Sequence, residues 1–534
     1  MADDVVDVLI IGAGASAAAF AWSMADTRMR ILCLEQGDWM NPADYPSTSK
    51  HWQVRRQIAY NQSPNIRQRD TDYPINEDES AVSVANFNGV GGGTILYSAH
   101  FPRFKPSDFR AKSLDGVADD WPLTYQDLDP YFAQNDKNMG VSGLSGDPMI
   151  PYHDMPLHHI PIGKMGDAMG RGFNKLGWHW WPSDAAIISE DYEGREKCAN
   201  LGPCNSGCAK GAKSSVDIAY WPLNQRLGVE LKTRCRVREI TVDENDMATG
   251  AIYFDENGIE HHQRAEIVVM ACNGVGTPRL LLNSTSKNFP DGLANRSGLV
   301  GKNLMFHPWG MVEGYIEEGM MSHLGPQGTC LLSQEFYETD TARDFVRGYT
   351  LQVTRGQPPV SVATNGMLRG DIPWGNDHHA AFKRYHGNSV LVGICCEDLP
   401  EEVNQVTLDP ELKDSNGIPA PKLTYRLSEN SERMIAHGLA RAEEALEAAG
   451  AFQITPFGQV RHTGWHLMGT ARMGGDPARS VVNGWGRSHD VKNLFVIDGS
   501  IFVTSGAVNP TTTIQALALY IADQMKNNLA TLFD

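Results

Sequence analysis

The stretch VDVLIIGAGASA at residues 6–17, followed by ILCLE at residues 31–35, decides the fold of this chain. An apolar strand leads directly into a glycine turn, a helix of small residues and a second apolar strand that ends in an acid. This order predicts a βαβ unit of the kind that binds the ADP portion of a dinucleotide. Gly12 permits the tight turn, and Gly14 lets the backbone approach a pyrophosphate.

The same unit indicates which residues contact the dinucleotide. The N–H groups at the start of the helix, around Ala15 and Ser16, are expected to face the phosphate groups. Glu35 ends the second strand 23 residues after Gly12, where its carboxylate can accept hydrogen bonds from ribose hydroxyls. An acid at this position favours FAD or NAD over NADP, because it would repel a 2′-phosphate.

Length and charge narrow the class of protein. A chain of 534 residues exceeds the size of a single core, so two or more domains are expected. The net charge of −18 argues against nucleic acid or an anionic membrane as a partner. The sequence contains no run of 18 consecutive apolar residues, so no membrane span is expected. The acidic start Met1-Ala-Asp-Asp lacks a basic and apolar leader, so a cytoplasmic location is expected, with export alongside a partner subunit left open.

The apolar runs predict two interleaved domains. Strands typical of a dinucleotide-binding domain recur far apart, at 6–35, 265–272 and 493–499, while residues 300–425 mix strands with turns. The fold class is therefore α/β: a Rossmann-type domain interleaved with an α+β substrate domain that is built on an antiparallel sheet. The expected dinucleotide-binding segments are 1–40, 80–125, 225–300 and 455–534. The expected substrate-binding segments are 41–79, 126–224 and 301–454.

Further motifs follow in a fixed order along the chain. They are VGGGT at 90–94, WPLTYQDL at 121–128, GVGTPRLL at 274–281, WHLMGTARMG at 465–474, and DG at 498–499 with NPT at 509–511. Together with the N-terminal unit, they resemble the glucose–methanol–choline (GMC) family of FAD-dependent oxidoreductases over nearly the whole chain. Within that family, the sequence looks most similar to bacterial sugar and polyol dehydrogenases and to glycoside or pyranose oxidases.

The resemblance implies a second set of cofactor contacts. Some relatives attach FAD through a histidine in the second glycine loop, and Leu96 occupies that position here, so non-covalent FAD is expected. Tyr97 stands where many members have an asparagine. The residues implied to contact the flavin and its pyrophosphate are Gly91, Gly92, Gly93, Thr94, Asp498, Gly499, Pro510 and Thr511.

The C-terminal motifs supply the expected chemistry. Oxidation of an alcohol needs a base for the hydroxyl proton, and His466 is the candidate because an imidazole titrates near working pH. Asn509 is expected to orient the same hydroxyl through its amide. The resemblance implies oxidation of a hydroxyl of a sugar, polyol or glycoside to a carbonyl, with hydride transfer to flavin N5 and with oxygen or another acceptor taking the electrons. Two alternatives stay open: a GMC enzyme that acts on non-sugar alcohols, and a cyanohydrin lyase that retains FAD.

Two clusters have both a functional and a structural interpretation. Cys198, Cys204 and Cys208 could hold an iron–sulfur cluster, as in some sugar dehydrogenases of this family that pass electrons to a cytochrome subunit. The alternatives are buried thiols, or one disulfide with a free thiol. Trp178, Trp180 and Trp181 could stack on a sugar ring or pack in an interdomain core. No histidine pair shows a zinc spacing, so no other metal site is expected.

Overall fold

The computed structural model describes residues 5–317, 319–326 and 328–532, which form three main sheets and thirteen α-helices. The strands are β1 (Val6–Ile11), β2 (Ile31–Leu34), β3 (Asn76–Ser80), β4 (Ser142–Gly143), β5 (Leu157–His158), β6 (Trp181–Pro182), β7 (Glu230–Lys232), β8 (Arg236–Val242), β9 (Ala248–Phe254), β10 (Glu260–Met270), β11 (Trp309–Tyr315), β12 (Thr329–Ser333), β13 (Tyr349–Arg355), β14 (Ser389–Cys396), β15 (Gln405–Lys413), β16 (Pro419–Tyr425), β17 (Gln453–Phe457) and β18 (Leu494–Val496).

The helices connect these strands and cover the sheets. They are α1 (Ala15–Met24), α2 (Trp52–Gln57), α3 (Pro64–Arg67), α4 (Ala111–Asp115), α5 (Tyr125–Met139), α6 (Gly163–Leu176), α7 (Val216–Ala219), α8 (Trp221–Arg226), α9 (Asn273–Asn283), α10 (Pro359–Arg369), α11 (His378–Tyr385), α12 (Glu429–Ala449) and α13 (Thr511–Asn528). None of the helices in these described parts of the chain is long and apolar enough to cross a membrane.

The first sheet is the predicted Rossmann-type sheet. Its parallel strands lie in the order β7, β2, β1, β10 and β18. The long strand β10 then continues beyond this parallel region and pairs antiparallel with β9, which pairs with β8. The first strand is apolar except for Asp7, because every other residue in it is buried between its neighbours. The predicted α/β class is therefore confirmed.

The second sheet confirms the expected antiparallel core of a substrate domain. Six strands lie in the order β17, β11, β14, β13, β12 and β6, and every pair is antiparallel. Helix α12 packs on this sheet and against α6. It begins after Ser428, whose hydroxyl caps it by accepting a hydrogen bond from the Ser431 N–H at 3.1 Å. The domain boundaries stay a prediction.

A buried ion network ties the antiparallel sheet to the loops beside it. Arg347 is fully buried and pairs with Asp108 at 2.9 Å, Asp115 at 2.7 Å and Glu397 at 2.9 Å. Asp108 also accepts a hydrogen bond from the Tyr337 hydroxyl at 2.7 Å. The same hydroxyl accepts one from the backbone N–H of Ala507 at 3.1 Å. The network therefore fixes the chain shortly before the C-terminal helix α13.

Arg347→Met should destabilise the protein strongly. The methionine fills the space but leaves buried carboxylates without their cation, which costs about 3–5 kcal/mol of unfolding free energy. Denaturant-induced unfolding followed by fluorescence measures the change. Arg433→Met is the matched control, because Arg433 makes an exposed pair with Glu429 one helical turn away, and a pair of this kind contributes only about 0.5 kcal/mol. Equal shifts for the two variants would contradict the role given to Arg347.

Candidate active site

One cavity of about 520 Å³ brings most of the predicted site residues together. It extends from the carboxyl end of β1 to the antiparallel sheet at β13. The predicted residues that line it are Gly12, Gly14, Ala15, Ser16, Glu35, Gly92, Gly93, Thr94, His466, Asp498, Gly499, Asn509, Pro510 and Thr511. Gly91 does not line the cavity. Its N–H donates to the carbonyl of Ala13 at 2.9 Å and so joins the two glycine loops.

The first glycine turn leaves room for a ligand at the start of α1. Gly12 has φ of +94°, and a Cβ there would lie 2.6 Å from the carbonyl oxygen of Ala271, so only glycine fits. A Cβ on Gly14 would meet no atom within 4 Å, because that position faces open space. No side chain caps α1, so its first N–H groups are free to bind an anion. Gly92 packs against this turn, since its Cβ would lie 3.0 Å from the Cα of Gly14.

Glu35 stabilises the first glycine turn through its carboxylate. One carboxylate oxygen accepts a hydrogen bond from the Ala13 N–H at 2.8 Å, and the other accepts one from the Gly37 N–H at 2.8 Å. Burial raises the pKa of Glu35, while these two N–H groups act in the opposite direction. The side chain thus holds the glycine turn in shape, a role that the sequence did not indicate. Its predicted contact with ribose hydroxyls stays a prediction.

Asp498 performs a similar bracing role at the C-terminal motif. It accepts hydrogen bonds from the Thr277 hydroxyl at 2.6 Å and the Ser500 N–H at 2.9 Å. Burial raises its pKa, and the bonds to Ser500 and Thr277 oppose that shift. The adjacent Gly499 lies so close to the backbone of Leu467 that a Cβ would come within 2.6 Å of the Leu467 carbonyl oxygen. Asp498 therefore holds the cavity wall together beside α9.

The far end of the cavity holds the two predicted catalytic residues in contact. The amide Nδ2 of Asn509 donates a hydrogen bond to Nε2 of His466 at 3.1 Å. Two residues that the sequence analysis missed complete this arrangement. Gln352 donates to the Asn509 Oδ1 at 2.8 Å, and His307 Nδ1 lies 2.6 Å from His466 Nδ1. Neither belongs to a glycine motif, and only the fold brings them to the site, from β13 and from the turn before β11.

Burial sets the charge of the imidazoles at this end. It lowers the pKa of His466 well below the usual histidine value, and the nearby His307 and His100 act in the same direction. Burial also lowers the pKa of His307 to about 4 and that of His100 to about 3. All three rings are therefore neutral at neutral pH, and His466 is able to accept a proton.

The aromatic wall of the cavity is formed by Trp309 and Trp465. Their rings meet edge to face, with centroids 5.6 Å apart and an interplanar angle of 88°. The tryptophans near residue 180 do not line the cavity: Trp178 packs against Phe336, and the Trp180 indole donates to Asn174 on α6. Of the two interpretations that the sequence left open for Trp178, Trp180 and Trp181, the structure supports packing and not stacking on a sugar. Trp178 and Trp180 pack beside α6, and the Trp181 indole donates to the Leu144 carbonyl at 2.8 Å.

The three clustered cysteines are not arranged as a metal site in the part of the chain that the structure describes. None of Cys198, Cys204 and Cys208 forms a disulfide there, and no three Cys, His, Asp or Glu side chains are placed to hold a metal ion. Lys213 holds this loop instead, because its buried ammonium donates to the carbonyl oxygens of Ile95 at 2.8 Å and Cys204 at 2.8 Å. The structure therefore supports neither the iron–sulfur cluster nor the disulfide, and the thiols pack against apolar residues.

Comparison with known proteins identifies the class that this geometry defines. Residues 6–309 and 400–518 match the N-terminal and C-terminal family models described as GMC oxidoreductase. The chain is 40% identical to 2-methyl-1,2-propanediol dehydrogenase of Mycolicibacterium austroafricanum, over 99% of this chain and 97% of the relative. It is 28% identical to the fructose dehydrogenase large subunit of Gluconobacter japonicus, over 98% of both chains. The chain belongs to the GMC oxidoreductase family.

A solved structure shows the same fold. Pyridoxine 4-oxidase from Mesorbium loti superposes with a TM-score of 0.68 at 17% identity and covers 98% of this chain and 99% of its own. This protein is therefore an oxidoreductase of a family that binds FAD. The residues that line the cavity fit FAD, since two glycine turns and the uncapped start of α1 face one continuous space.

Gly14→Glu should abolish FAD retention and leave the fold intact. The new side chain extends into open cavity space, where it fills the volume opposite the start of α1 and repels a diphosphate. Flavin released on denaturation of the purified protein measures the loss, and circular dichroism reports the fold. Gly458→Glu is the control, because this exposed glycine also has free space around its Cβ position. Full flavin content in Gly14→Glu would show that the cofactor binds elsewhere.

Proposed function

We propose that this protein oxidises a hydroxyl group of a polyol, sugar or glycoside to a carbonyl, with His466 as the general base. The observation that carries the proposal is the contact between His466 Nε2 and Asn509 Nδ2, at 3.1 Å, in the wall of the cavity that also contains both glycine turns. A neutral imidazole nitrogen and an amide converge at one place, and both can bind the same hydroxyl group.

Each residue has a defined task in this proposal. His466 Nε2 accepts the proton from the substrate hydroxyl, as the O–H bond breaks and an N–H bond forms. Asn509 holds the hydroxyl oxygen through its amide N–H, and Gln352 fixes the Asn509 amide by donating to its oxygen. FAD, when bound, supplies the hydride acceptor for the oxidation.

The lining of the substrate end favours a substrate with several hydroxyl groups. Gln352, Thr354 and Gln357 line the cavity on the side of the antiparallel sheet and offer donors and acceptors. Trp309 and Trp465 add a flat apolar surface on which C–H groups can pack. Amide and hydroxyl groups beside an aromatic wall are typical of sites that bind polyols and sugars.

The names of the relatives support the same substrate class and extend it. One relative is named for a small diol and another for a sugar. In 2-methyl-1,2-propanediol, the second carbinol carbon bears no hydrogen, so only the primary hydroxyl can be converted to a carbonyl. We therefore include primary hydroxyls of vicinal diols beside the secondary hydroxyl of a sugar ring. The electrons then pass to oxygen or another acceptor, and a partner subunit is compatible with the relative named as a large subunit.

His466→Ala should lower turnover by about 100-fold or more while FAD stays bound, because a general base contributes about that much. Substrates come from a panel of vicinal diols, sugars and glycosides, assayed with oxygen and with an artificial electron acceptor. Asn509→Ala should lower turnover less than His466→Ala does, since Asn509 orients the hydroxyl and does not transfer the proton. Near-normal flavin reduction by His466→Ala in a single turnover would refute the role of His466.

The rate of flavin reduction should stay constant as the pH falls toward about 6.5, the ordinary pKa of histidine. His466 must be neutral to accept a proton, and burial lowers its pKa, so protonation and loss of activity occur only at lower pH. The measurement is the limiting rate of flavin reduction at saturating substrate as a function of pH. A decline with a midpoint above about 7 would contradict this assignment.

A further inference from the structure

His307 occupies a position that the proposed reaction does not yet explain. It is completely buried, and its ring stands at 85° to the ring of His466 with centroids 4.7 Å apart. One ring nitrogen, Nδ1, lies 2.6 Å from Nδ1 of His466. The other, Nε2, lies 2.8 Å from the carbonyl oxygen of Gly506 and 3.2 Å from that of Ser505.

These contacts determine where the hydrogen atoms lie. A carbonyl oxygen only accepts, so His307 Nε2 must carry a hydrogen. Burial lowers the pKa of His307 to about 4, so the neutral ring has no second hydrogen and its Nδ1 presents a lone pair. The hydrogen between the two rings therefore belongs to Nδ1 of His466. Nε2 of His466 is then left without a hydrogen.

The contacts of His466 Nε2 lead independently to the same tautomer, with the hydrogen on Nδ1. Gln352 donates through its Nε2 to the Asn509 oxygen, which orients the Asn509 amide so that its N–H points at His466 Nε2. A nitrogen that faces an N–H donor must offer a lone pair. The four side chains thus form one chain of hydrogen bonds, in which every donor meets an acceptor from Gln352 to the carbonyl of Gly506.

We propose that His307 is a positioning residue that selects the tautomer of His466. It places the hydrogen on Nδ1 and the basic lone pair on Nε2, the nitrogen that faces Asn509 here and that would take the substrate proton in the proposed reaction. This inference rests on the proposed role of His466 as the base. When His466 Nε2 takes the hydroxyl proton, the ring becomes an imidazolium, and its Nδ1–H is already bonded to the neutral acceptor on His307. That bond stabilises the charge, and the acceptor ring of His307 is completely buried.

Apart from Asn509, the described residues around the pair contain no other group that could set the tautomer. In the described residues, the ionisable groups that act on His466 are His307 and His100. The His100 Nδ1 is engaged with the Ser183 hydroxyl at 2.5 Å, and its ring is neutral. The Asp398 carboxylate follows the end of β14 and accepts hydrogen bonds from the Phe306 N–H at 3.1 Å and the Tyr425 hydroxyl at 2.8 Å. No carboxylate therefore replaces His307 as the partner of His466.

Two variants of similar size separate the proposed role from mere packing. His307→Asn can present an amide oxygen close to the original Nδ1, whereas His307→Leu fills the same space without an acceptor. His307→Leu should lower the limiting rate of flavin reduction by about 100-fold or more, since the base is then available in the wrong tautomer. The dissociation constant of the substrate should change little. His307→Asn should stay within about tenfold of the original protein.

The pH profile and the tautomer itself provide readouts that packing alone would not move. The rate of His307→Leu should depend on pH differently from that of the original protein, while the profile of His307→Asn stays the same. Nitrogen-15 spectra of the histidine-labelled protein report the tautomer without turnover, with the His466 signals assigned by their loss in His466→Gln. We expect a protonated Nδ1 and an unprotonated Nε2 in the original protein, and loss of this preference in His307→Leu.

Each outcome decides between the claims. A His466 ring protonated at Nε2 in the original protein would overturn the inference, and so would an unchanged tautomer in His307→Leu. Equal rates for His307→Leu and His307→Asn would also overturn it. If no alcohol reduces the flavin of the original protein, the proposed function fails, but the nitrogen-15 spectra still test the tautomer. Circular dichroism confirms that each variant is folded before its rates are compared.

Discussion

Backbone segments approach each other in this protein more closely than any side chain would allow, and the active site depends on that constraint. Leu467 lies between two glycines: a Cβ on Gly274 would come within 2.5 Å of the Leu467 carbonyl carbon, and one on Gly499 within 2.6 Å of its oxygen. The neighbouring His466 is therefore held by main-chain packing against the nucleotide-binding domain. Gly12 meets the end of β10 in the same way, within 2.6 Å of the Ala271 oxygen. The position of the proposed base and the shape of the cofactor turn are set by one kind of contact.

The second requirement is a chain of hydrogen-bonded polar side chains that are largely buried. Burial keeps the imidazoles neutral, and each buried polar atom in the sequence from Gln352 through Asn509 and His466 to His307 has a partner. In a neutral network of this type, the donors and acceptors follow a fixed order along the chain of hydrogen bonds, because each N–H must face a lone pair. The Rossmann-type part of the chain supplies the cofactor turns, while β13 and the turn before β11 supply Gln352 and His307. The proposed alcohol oxidation therefore requires residues from both the Rossmann-type part and the antiparallel-sheet part of the fold.

The sequence predicted the parts of the site that short-range chemistry determines. The turn at Gly12, the helix after it and the pairing of β1 with β2 follow from glycine positions and apolar runs within thirty residues. His466 and Asn509 were found because they lie in motifs. His307 and Gln352 carry no local signal, since their role arises from the register of strands far apart in the chain. The hydrogen bonds of Glu35 also could not be predicted from the sequence pattern, because they depend on the position of the Ala13 backbone in the folded protein.

The sequence left the roles of two clusters open, and the reason is the same for both. A cluster of cysteines and a cluster of tryptophans are each compatible with a functional and with a structural role, and only three-dimensional placement separates the two. Trp178 and Trp180 follow α6 and pack beside it, whereas the indoles that line the cavity, Trp309 and Trp465, are single residues far apart in sequence. In the cysteine loop, the ammonium of Lys213 binds the backbone carbonyl of Cys204, so the loop is ordered without a metal.

Anaerobic titration of the FAD-loaded protein with 2-methyl-1,2-propanediol and with other vicinal diols, sugars and glycosides tests the central claim most directly. Alcohol oxidation at the His466 end of the cavity predicts loss of the oxidised-flavin absorbance with at least one of these substrates. One molecule of carbonyl product should form for each flavin reduced. Unchanged flavin absorbance with the whole panel, together with cleavage of a cyanohydrin by the same protein, would contradict the account and leave a lyase that retains FAD.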